Sequence, residues 1–209
     1  MSDGYRTLAE TALGELEEKR SRFIAEIAHV TDEEQAVAHI ERIRAENRKA
    51  RHNVYAYLLR EGNVTRYSDD GEPQGTGGVP VLETLRGAGL TDVCCVVTRY
   101  FGGILLGTGG LARAYSGACR AALDSAKVME IRRCSRFDFY CDYDLYGRVG
   151  ALLPELGAKT LREDFGENVS MSVIVESDRA ERFREKLTNA SNGRISFDET
   201  ADLYEDFSR

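Results

Sequence analysis

Residues 69 to 110 read DDGEPQGTGGVPVLETLRGAGLTDVCCVVTRYFGGILLGTGG, and this stretch decides how the first half of the chain folds. Of the chain's 20 glycines, 12 fall between Gly71 and Gly117. Glycine is used where φ must be positive or where the backbone lies against another group. The stretch therefore predicts either unusual turns or a surface that binds something across its main chain.

The pattern in and around this stretch predicts strands mixed with helices. Residues 93–97 are a continuous apolar run, which is typical of a strand buried on both faces. Helical spacing of apolar residues predicts helices over residues 79–85 and 110–126. Further strands are predicted over residues 22–30 and 53–60, and the second of these alternates side chains between two faces.

The second half of the chain follows a different order of elements. A composition shift at residues 127–136, KVMEIRRCSR, is interpreted as a linker or domain boundary. Beyond it the pattern predicts strand, helix, two strands joined by a hairpin turn, helix and strand, which is the ferredoxin-like βαββαβ arrangement. We therefore predict an α+β protein with an N-terminal domain of residues 1–130 and a ferredoxin-like domain of residues 131–209.

Composition and charge limit the function classes. The chain is 42% hydrophobic and 30% charged, and it contains neither a long apolar run nor a basic-then-apolar leader. We expect a cytoplasmic protein that is not in the membrane. The net charge of −7 argues against a generally basic nucleic-acid binder. No DNA partner is expected, and any RNA contact needs a local basic patch.

Three carboxylates stand within four residues, at Asp69, Asp70 and Glu72. Adjacent carboxylates repel each other unless a positive group lies between them, so a divalent cation or an arginine is an attractive partner. Asp69-Asp70-Gly71 is also typical of a turn whose carboxylates bond nearby amides. Both interpretations stay open for this acidic loop, residues 69–72, and the sequence does not decide whether it holds a metal.

Two glycine-rich segments precede predicted helices. One contains Thr76, and the other contains Gly102, Gly103, Thr108 and Gly109. Exposed amides at a helix start attract anions. Neither segment has the lysine of the GxxxxGKS phosphate-binding pattern. The alternative is that the glycines let the helices pack closely on the sheet.

Arg99, Tyr100 and Phe101 follow the buried run, and Arg113 lies in the first turns of the next helix. Guanidinium groups and aromatic rings can grip phosphate and stack on bases. The alternative for Arg99 is an internal ion pair with the acidic loop. A second basic cluster is either a solvated helix end or an RNA contact; it consists of Arg42, Arg44, Arg48, Lys49, Arg51 and His52.

Motif spacing identifies no Ser/His/Asp or Cys/His catalytic set and no cofactor. The five cysteines lack the CxxC spacing of zinc or redox sites. His52 precedes a predicted strand, and we expect it to make a structural hydrogen bond near the acidic loop.

Three runs together resemble the signature of the IMPACT family, in its bacterial YigZ-like branch: HNVYAY at 52–57, DDGEPQGTGGVP at 69–80 and VVTRYFGGILLGTGGLARAYS at 96–116. The resemblance covers essentially the whole chain. It implies a two-layer α/β N-terminal domain like that of some ribosomal proteins and the fourth domain of elongation factor G. It also implies a C-terminal domain like the fifth domain of that factor.

The resemblance further implies a role in translation or its regulation, because the eukaryotic relative is a translational regulator. We expect a non-enzymatic binding protein that contacts the ribosome, RNA or a translation-associated protein. The expected binding surface consists of Asp69, Asp70, Glu72, Thr76, Arg99, Tyr100, Gly102, Gly103, Thr108, Gly109 and Arg113. The alternative is an enzyme that uses the acidic loop, with or without a metal, on a phosphorylated or peptide substrate.

Overall fold

A computed structural model describes residues 4–208 of the 209-residue chain. The chain folds into two compact units, Tyr5–Met129 and the part from Glu130 onward together with Gly4. The described range contains five α-helices and ten strands, and the strands form two sheets. The predicted α+β class is therefore confirmed. None of these helices is both long and apolar enough to cross a membrane.

The first unit is built around an antiparallel sheet with the strand order β2-β3-β6-β4-β5. The elements of the chain up to residue 124 are β1 (Gly4–Leu8), β2 (Ala12–Glu18), β3 (Ser21–His29), α1 (Glu33–Glu46), β4 (His52–Leu59), β5 (Val64–Ser68), α2 (Gly78–Gly87), β6 (Val93–Tyr100) and α3 (Gly107–Asp124).

The central strand β6 is buried because helices cover both faces of this sheet. Cys95 and Val97 belong to the core formed with α2 and α3. Cys94 and Val96 belong to a second core formed with α1. A strand that is apolar on both faces must be packed against other elements on both faces. The helix α1 therefore forms a third layer, in addition to the two layers that were predicted.

The second unit has the predicted ferredoxin-like topology. Its elements are β7 (Val128–Cys141), α4 (Tyr143–Glu155), β8 (Lys159–Phe165), β9 (Val169–Glu176), α5 (Ala180–Ser191) and β10 (Phe197–Asp206). The strands are antiparallel in the order β10-β7-β9-β8. Phe137 and Phe139 of β7 pack in one core with Leu145 of α4 and Phe183 of α5.

Of the two interpretations of residues 127–136, the linker is wrong, because residues 128–136 are the first part of β7. Residues 131–139 of the strand pair with β10. The three arginines of this segment are half-buried and lie in ion pairs; they are Arg132, Arg133 and Arg136. The boundary between the two units falls inside this strand. The domain bounds 1–130 and 131–209 stay a prediction, which limited proteolysis tests.

Candidate functional site

Asp69 binds the backbone at the start of α2. Its Oδ1 accepts hydrogen bonds from the N–H groups of Gly77 (2.9 Å) and Gly78 (2.8 Å), and its Oδ2 accepts one from Gly75 (2.8 Å). Burial acts to raise the pKa of this carboxyl, but the three donors outweigh burial and hold the pKa below its ordinary value. The anion position predicted at this helix start is therefore occupied by the protein's own carboxylate.

Asp70 ties the acidic loop to α1 and β4. Its Oδ1 accepts a hydrogen bond from Arg44 Nη2 at 2.8 Å, and its Oδ2 accepts one from the Asn53 N–H at 2.6 Å. His52 Nδ1 donates to the Asp70 carbonyl at 2.8 Å, which confirms the structural hydrogen bond predicted for His52. Asp70 has a φ of +46°, a left-handed conformation that few residue types adopt. These bonds hold the turn in that conformation.

Glu72 is the most buried of the three carboxylates, with a side chain only 4% exposed. Its Oε1 accepts hydrogen bonds from Arg99 Nη1 at 2.6 Å and from the Tyr115 hydroxyl at 2.8 Å. Burial and the neighbouring Glu72 carboxylate raise the pKa of Tyr115, so the phenol stays protonated and donates. The internal ion pair that was the alternative for Arg99 is confirmed, with Glu72 as the partner.

Arg99 lies between two aromatic rings. Its Cζ is 5.6 Å from the ring centroid of Phe23 and 5.4 Å from that of Phe101, which is typical of cation–π contacts. The Arg99 side chain is 7% exposed, and its Nε has no hydrogen-bond partner among residues 4–208. The guanidinium therefore turns inward and supports the loop that follows β6.

The acidic loop does not present three free carboxylates on one surface. Asp69 binds backbone N–H groups, whereas Asp70 and Glu72 each bind an arginine. Within the described part of the chain, no group of three His, Cys, Asp or Glu side chains is arranged to hold a metal ion. A cation at the loop would have to displace these partners. The geometry fits a structural role, in which the three carboxylates join the loop to α1, α2, α3 and β6.

Two further residues of the predicted surface also make structural contacts. Thr76 is buried, and its Oγ1 donates to the Pro73 carbonyl at 2.6 Å. Tyr100 donates its hydroxyl hydrogen to Asn47 Oδ1 at 2.8 Å. The Tyr100 contact joins the end of β6 to the end of α1.

The connection between β6 and α3, residues 101–106, is the exposed part of the motif and is named the α3 loop. Gly102 packs against the Arg20 backbone, where a Cβ atom would overlap. Its N–H donates to Ser21 Oγ at 3.1 Å. Gly103 has a φ of +86°, so the chain turns sharply there. The glycines thus serve close packing and turning, which was the alternative to anion binding.

The first turn of α3 leaves its amides without a side-chain cap among the described residues. Thr108 and Gly109 are exposed in this turn. Arg113 is exposed in the next turn, and its guanidinium lies beside Gly109. These three predicted residues lie together near the α3 loop, apart from the inward-facing bonds of the acidic loop.

Three apolar side chains of the α3 loop point toward solvent. Leu105 is 83% exposed, Phe101 53% and Ile104 42%. The predicted binding surface includes the glycines around Ile104 and Leu105 but not these two residues. The sequence does indicate that both side chains are exposed, because they are apolar residues in a loop between two glycine pairs, with no predicted element to bury them.

A family model described as the Impact N-terminal domain matches residues 19–123, and one described as a domain of unknown function, DUF1949, matches residues 140–194. The chain is 36% identical over 200 residues to the IMPACT family member YvyE of Bacillus subtilis, covering 95% of this chain and 92% of the relative. It is also 36% identical over 180 residues to the IMPACT family member YigZ of Escherichia coli, covering 85% and 88%. A crystal structure described as that of an hypothetical protein matches with a TM-score of 0.61 and 32% identity, over 97% of this chain and 98% of that chain.

Proposed function

Because the chain belongs to the IMPACT family, we propose that it is a non-enzymatic binding protein that acts on the translation apparatus in the cytoplasm. The link to translation rests on the family resemblance. One observation carries the rest: the charged groups of the acidic loop and Arg99 are bound inside the first unit, whereas the α3 loop faces solvent. Catalysis needs polar groups free to reach a substrate, so these internal bonds favour a binding role over the enzyme alternative.

The α3 loop has the properties of a docking surface. Leu105 and Ile104 expose apolar area at its tip. The base of the loop is fixed, because Phe101 contacts the buried Arg99 and Gly102 packs on the Arg20 backbone. A surface that is already ordered loses little conformational freedom when a partner binds. This favours binding through the loop.

The ribosome is the partner that we propose, and co-sedimentation with bacterial ribosomes at low salt tests it. We expect the full chain to pellet with ribosomes and Leu105→Ser to reduce the bound fraction several-fold, because Leu105 is the most exposed apolar side chain of the loop. The matched control is Leu13→Ser, which removes a 60% exposed leucine of β2. Absence of the wild-type protein from the pellet, or an equal loss in both variants, contradicts the proposal.

A further inference from the structure

Strand register brings three separate chain segments to one end of the first sheet. On one side of β6, Tyr100 pairs with Arg22 of β3, and on the other side Arg99 pairs with His52 of β4. The turn between β2 and β3 therefore lies on one flank of the end of β6. The connection from α1 to β4 lies on the other flank.

These two flanks carry five exposed cations, named the basic edge: Lys19, Arg20, Arg48, Lys49 and Arg51. None of the five forms an ion pair with another described residue. Most other arginines of the same unit do form ion pairs; they are Arg22, Arg42, Arg44, Arg60, Arg66, Arg86 and Arg99. Within the predicted basic cluster, Arg42 and Arg44 bind carboxylates and His52 lies 4.0 Å from Glu72, whereas the other three members have no such partner among the described residues.

The basic edge is a local feature of an acidic chain. Glu17 and Glu18 precede Lys19 at the end of β2, which leaves an excess of three positive charges on the edge. The net charge of the whole chain is −7. A local excess of positive charge in such a chain indicates a specific anionic partner rather than general attraction to nucleic acid.

The turn between β2 and β3 gives an independent reason to assign a function to this edge. Glu18 pairs with Ser21, so the turn contains only Lys19 and Arg20, whose φ values are +46° and +64°. Two-residue hairpin turns with positive φ at both positions strongly prefer asparagine and glycine. Lysine and arginine adopt this conformation at a cost in free energy. This turn therefore has cations at two positions where uncharged residues would fold more easily.

An exposed aromatic ring lies between the two flanks. Phe101 directly follows β6 and is 53% exposed, with one side of the ring near the Arg99 guanidinium. Binding of phosphate alone needs only cations, whereas a ring among cations also offers a face on which a base can stack. Bases in a duplex are already stacked, so the combination selects a single strand.

We propose that the basic edge and Phe101 form a binding site for single-stranded RNA, in which the cations contact phosphates and the Phe101 ring stacks on a base. The assignment rests on the proposed function in translation, which makes RNA rather than DNA the expected strand. It identifies RNA as the part of the ribosome that this end of the sheet contacts.

The charge part of the proposal is tested by fluorescence anisotropy of a labelled oligouridylate titrated with the full chain at several salt concentrations. If all five cations contact phosphates, the logarithmic salt slope is about −3.5. Arg20→Gln and Arg51→Gln are each expected to weaken binding and to flatten the slope by about 0.7. The matched controls are Arg182→Gln and Lys186→Gln, exposed cations of α5 that have no ion pair with a described residue. The controls should leave affinity and slope unchanged.

The stacking part is tested at Phe101 in the same assay. Phe101→Leu keeps an apolar side chain but removes the flat ring, and we expect about tenfold weaker binding with an unchanged salt slope. Phe101→Tyr should restore the affinity. Tyr67→Leu, at a 51% exposed aromatic residue of β5, is the control. Thermal unfolding of each variant establishes that the fold is intact.

Each failure has its own meaning. If inorganic polyphosphate or an RNA duplex binds as well as the oligouridylate and Phe101→Leu has no effect, the edge binds anions only and the proposal is overturned. If the chain pellets with ribosomes but does not bind the oligouridylate, the RNA site is overturned and the proposed function stands. If the chain binds the oligouridylate but not ribosomes, the proposed function is overturned while the RNA site stands.

Discussion

The ion pair between Glu72 and Arg99 depends on both partners because both are buried. Removal of one partner leaves the other charge buried without a counter-ion, which costs about 3–5 kcal/mol. We expect Arg99→Met to lower the free energy of unfolding by about this amount. The double variant Arg99→Met/Glu72→Gln should recover most of the loss, because no uncompensated charge remains. Equilibrium urea unfolding of the two single variants and the double variant measures the effect.

The control for this comparison of single and double variants is the exposed pair of Arg22 and Glu15, whose side chains are 55% and 47% exposed. Exposed ion pairs contribute little to stability because water screens them, so Arg22→Met should have little effect. Additive losses in the Arg99/Glu72 double variant would contradict a dependence on charge pairing and would indicate packing alone.

Asp69 makes stability depend on pH in the acid range. The folded-state pKa lies below the ordinary value of 3.8, so the stabilisation is present above pH 3.8 and is lost as the pH falls through the folded-state pKa. At pH 7, Asp69→Asn removes the charge that binds three N–H groups at the start of α2, and we expect a loss of about 1–2 kcal/mol. Well below pH 3.8 the wild-type carboxyl is protonated, and the two proteins should approach equal stability.

Thermal unfolding of both proteins across this pH range checks the prediction. A difference between Asp69→Asn and the wild type that stays constant from neutral to acid pH would mean that the carboxylate charge is not responsible.

At the residue scale, the sequence predicted that Arg99 pairs with the acidic loop but not with which carboxylate. Asp69, Asp70 and Glu72 have the same chemistry, and only the turn geometry decides where each one points. That geometry includes the positive φ of Asp70. Tyr115 lies on the apolar face of the helix predicted over residues 110–126, but helical spacing does not reveal that its hydroxyl reaches Glu72.

At the scale of elements, periodicity predicted the segments whose apolar residues are buried. The β9 strand is an example, because its apolar residues are buried and alternate with polar ones along its first half. The β8 strand is exposed throughout, and it is the hairpin turn at Gly166 rather than burial that indicates it in the sequence. The β2 strand was not predicted. Four of its seven residues are exposed, including Leu13 at 60%, and three are glutamates, so the alternation that marks a strand is weak.

Limited trypsin digestion tests whether the segment around residues 127–136 is part of a strand rather than a linker. Lys127 directly precedes β7. Arg132, Arg133 and Arg136 lie within it, where the paired backbone cannot enter a protease site without local opening. We expect cleavage here to be slower than cleavage after Arg20 in the exposed β2–β3 turn. Mass spectrometry of early products distinguishes the sites. A first cut within residues 127–136 that leaves two stable fragments would restore the linker interpretation.

At the scale of the whole molecule, buried thiols report on both units. Cys94, Cys95 and Cys119 lie in the first unit, Cys134 and Cys141 lie in the second, and all five are free and buried. Burial raises the pKa of Cys94 to about 12 and also raises the pKa of Cys134 and Cys141. The thiolate is the reactive form, so the folded protein should react slowly with alkylating reagents at neutral pH.

Each unit has its own hydrophobic core, so we expect two unfolding transitions in urea rather than one. Brief labelling with N-ethylmaleimide at increasing urea, followed by peptide mass spectrometry, should find three thiols becoming reactive in one transition and two in the other. Protein labelled in full denaturant, with all five cysteines modified, is the control. Simultaneous exposure of all five thiols would mean that the units unfold as one cooperative body, and rapid labelling without urea would contradict the burial of the labelled cysteine.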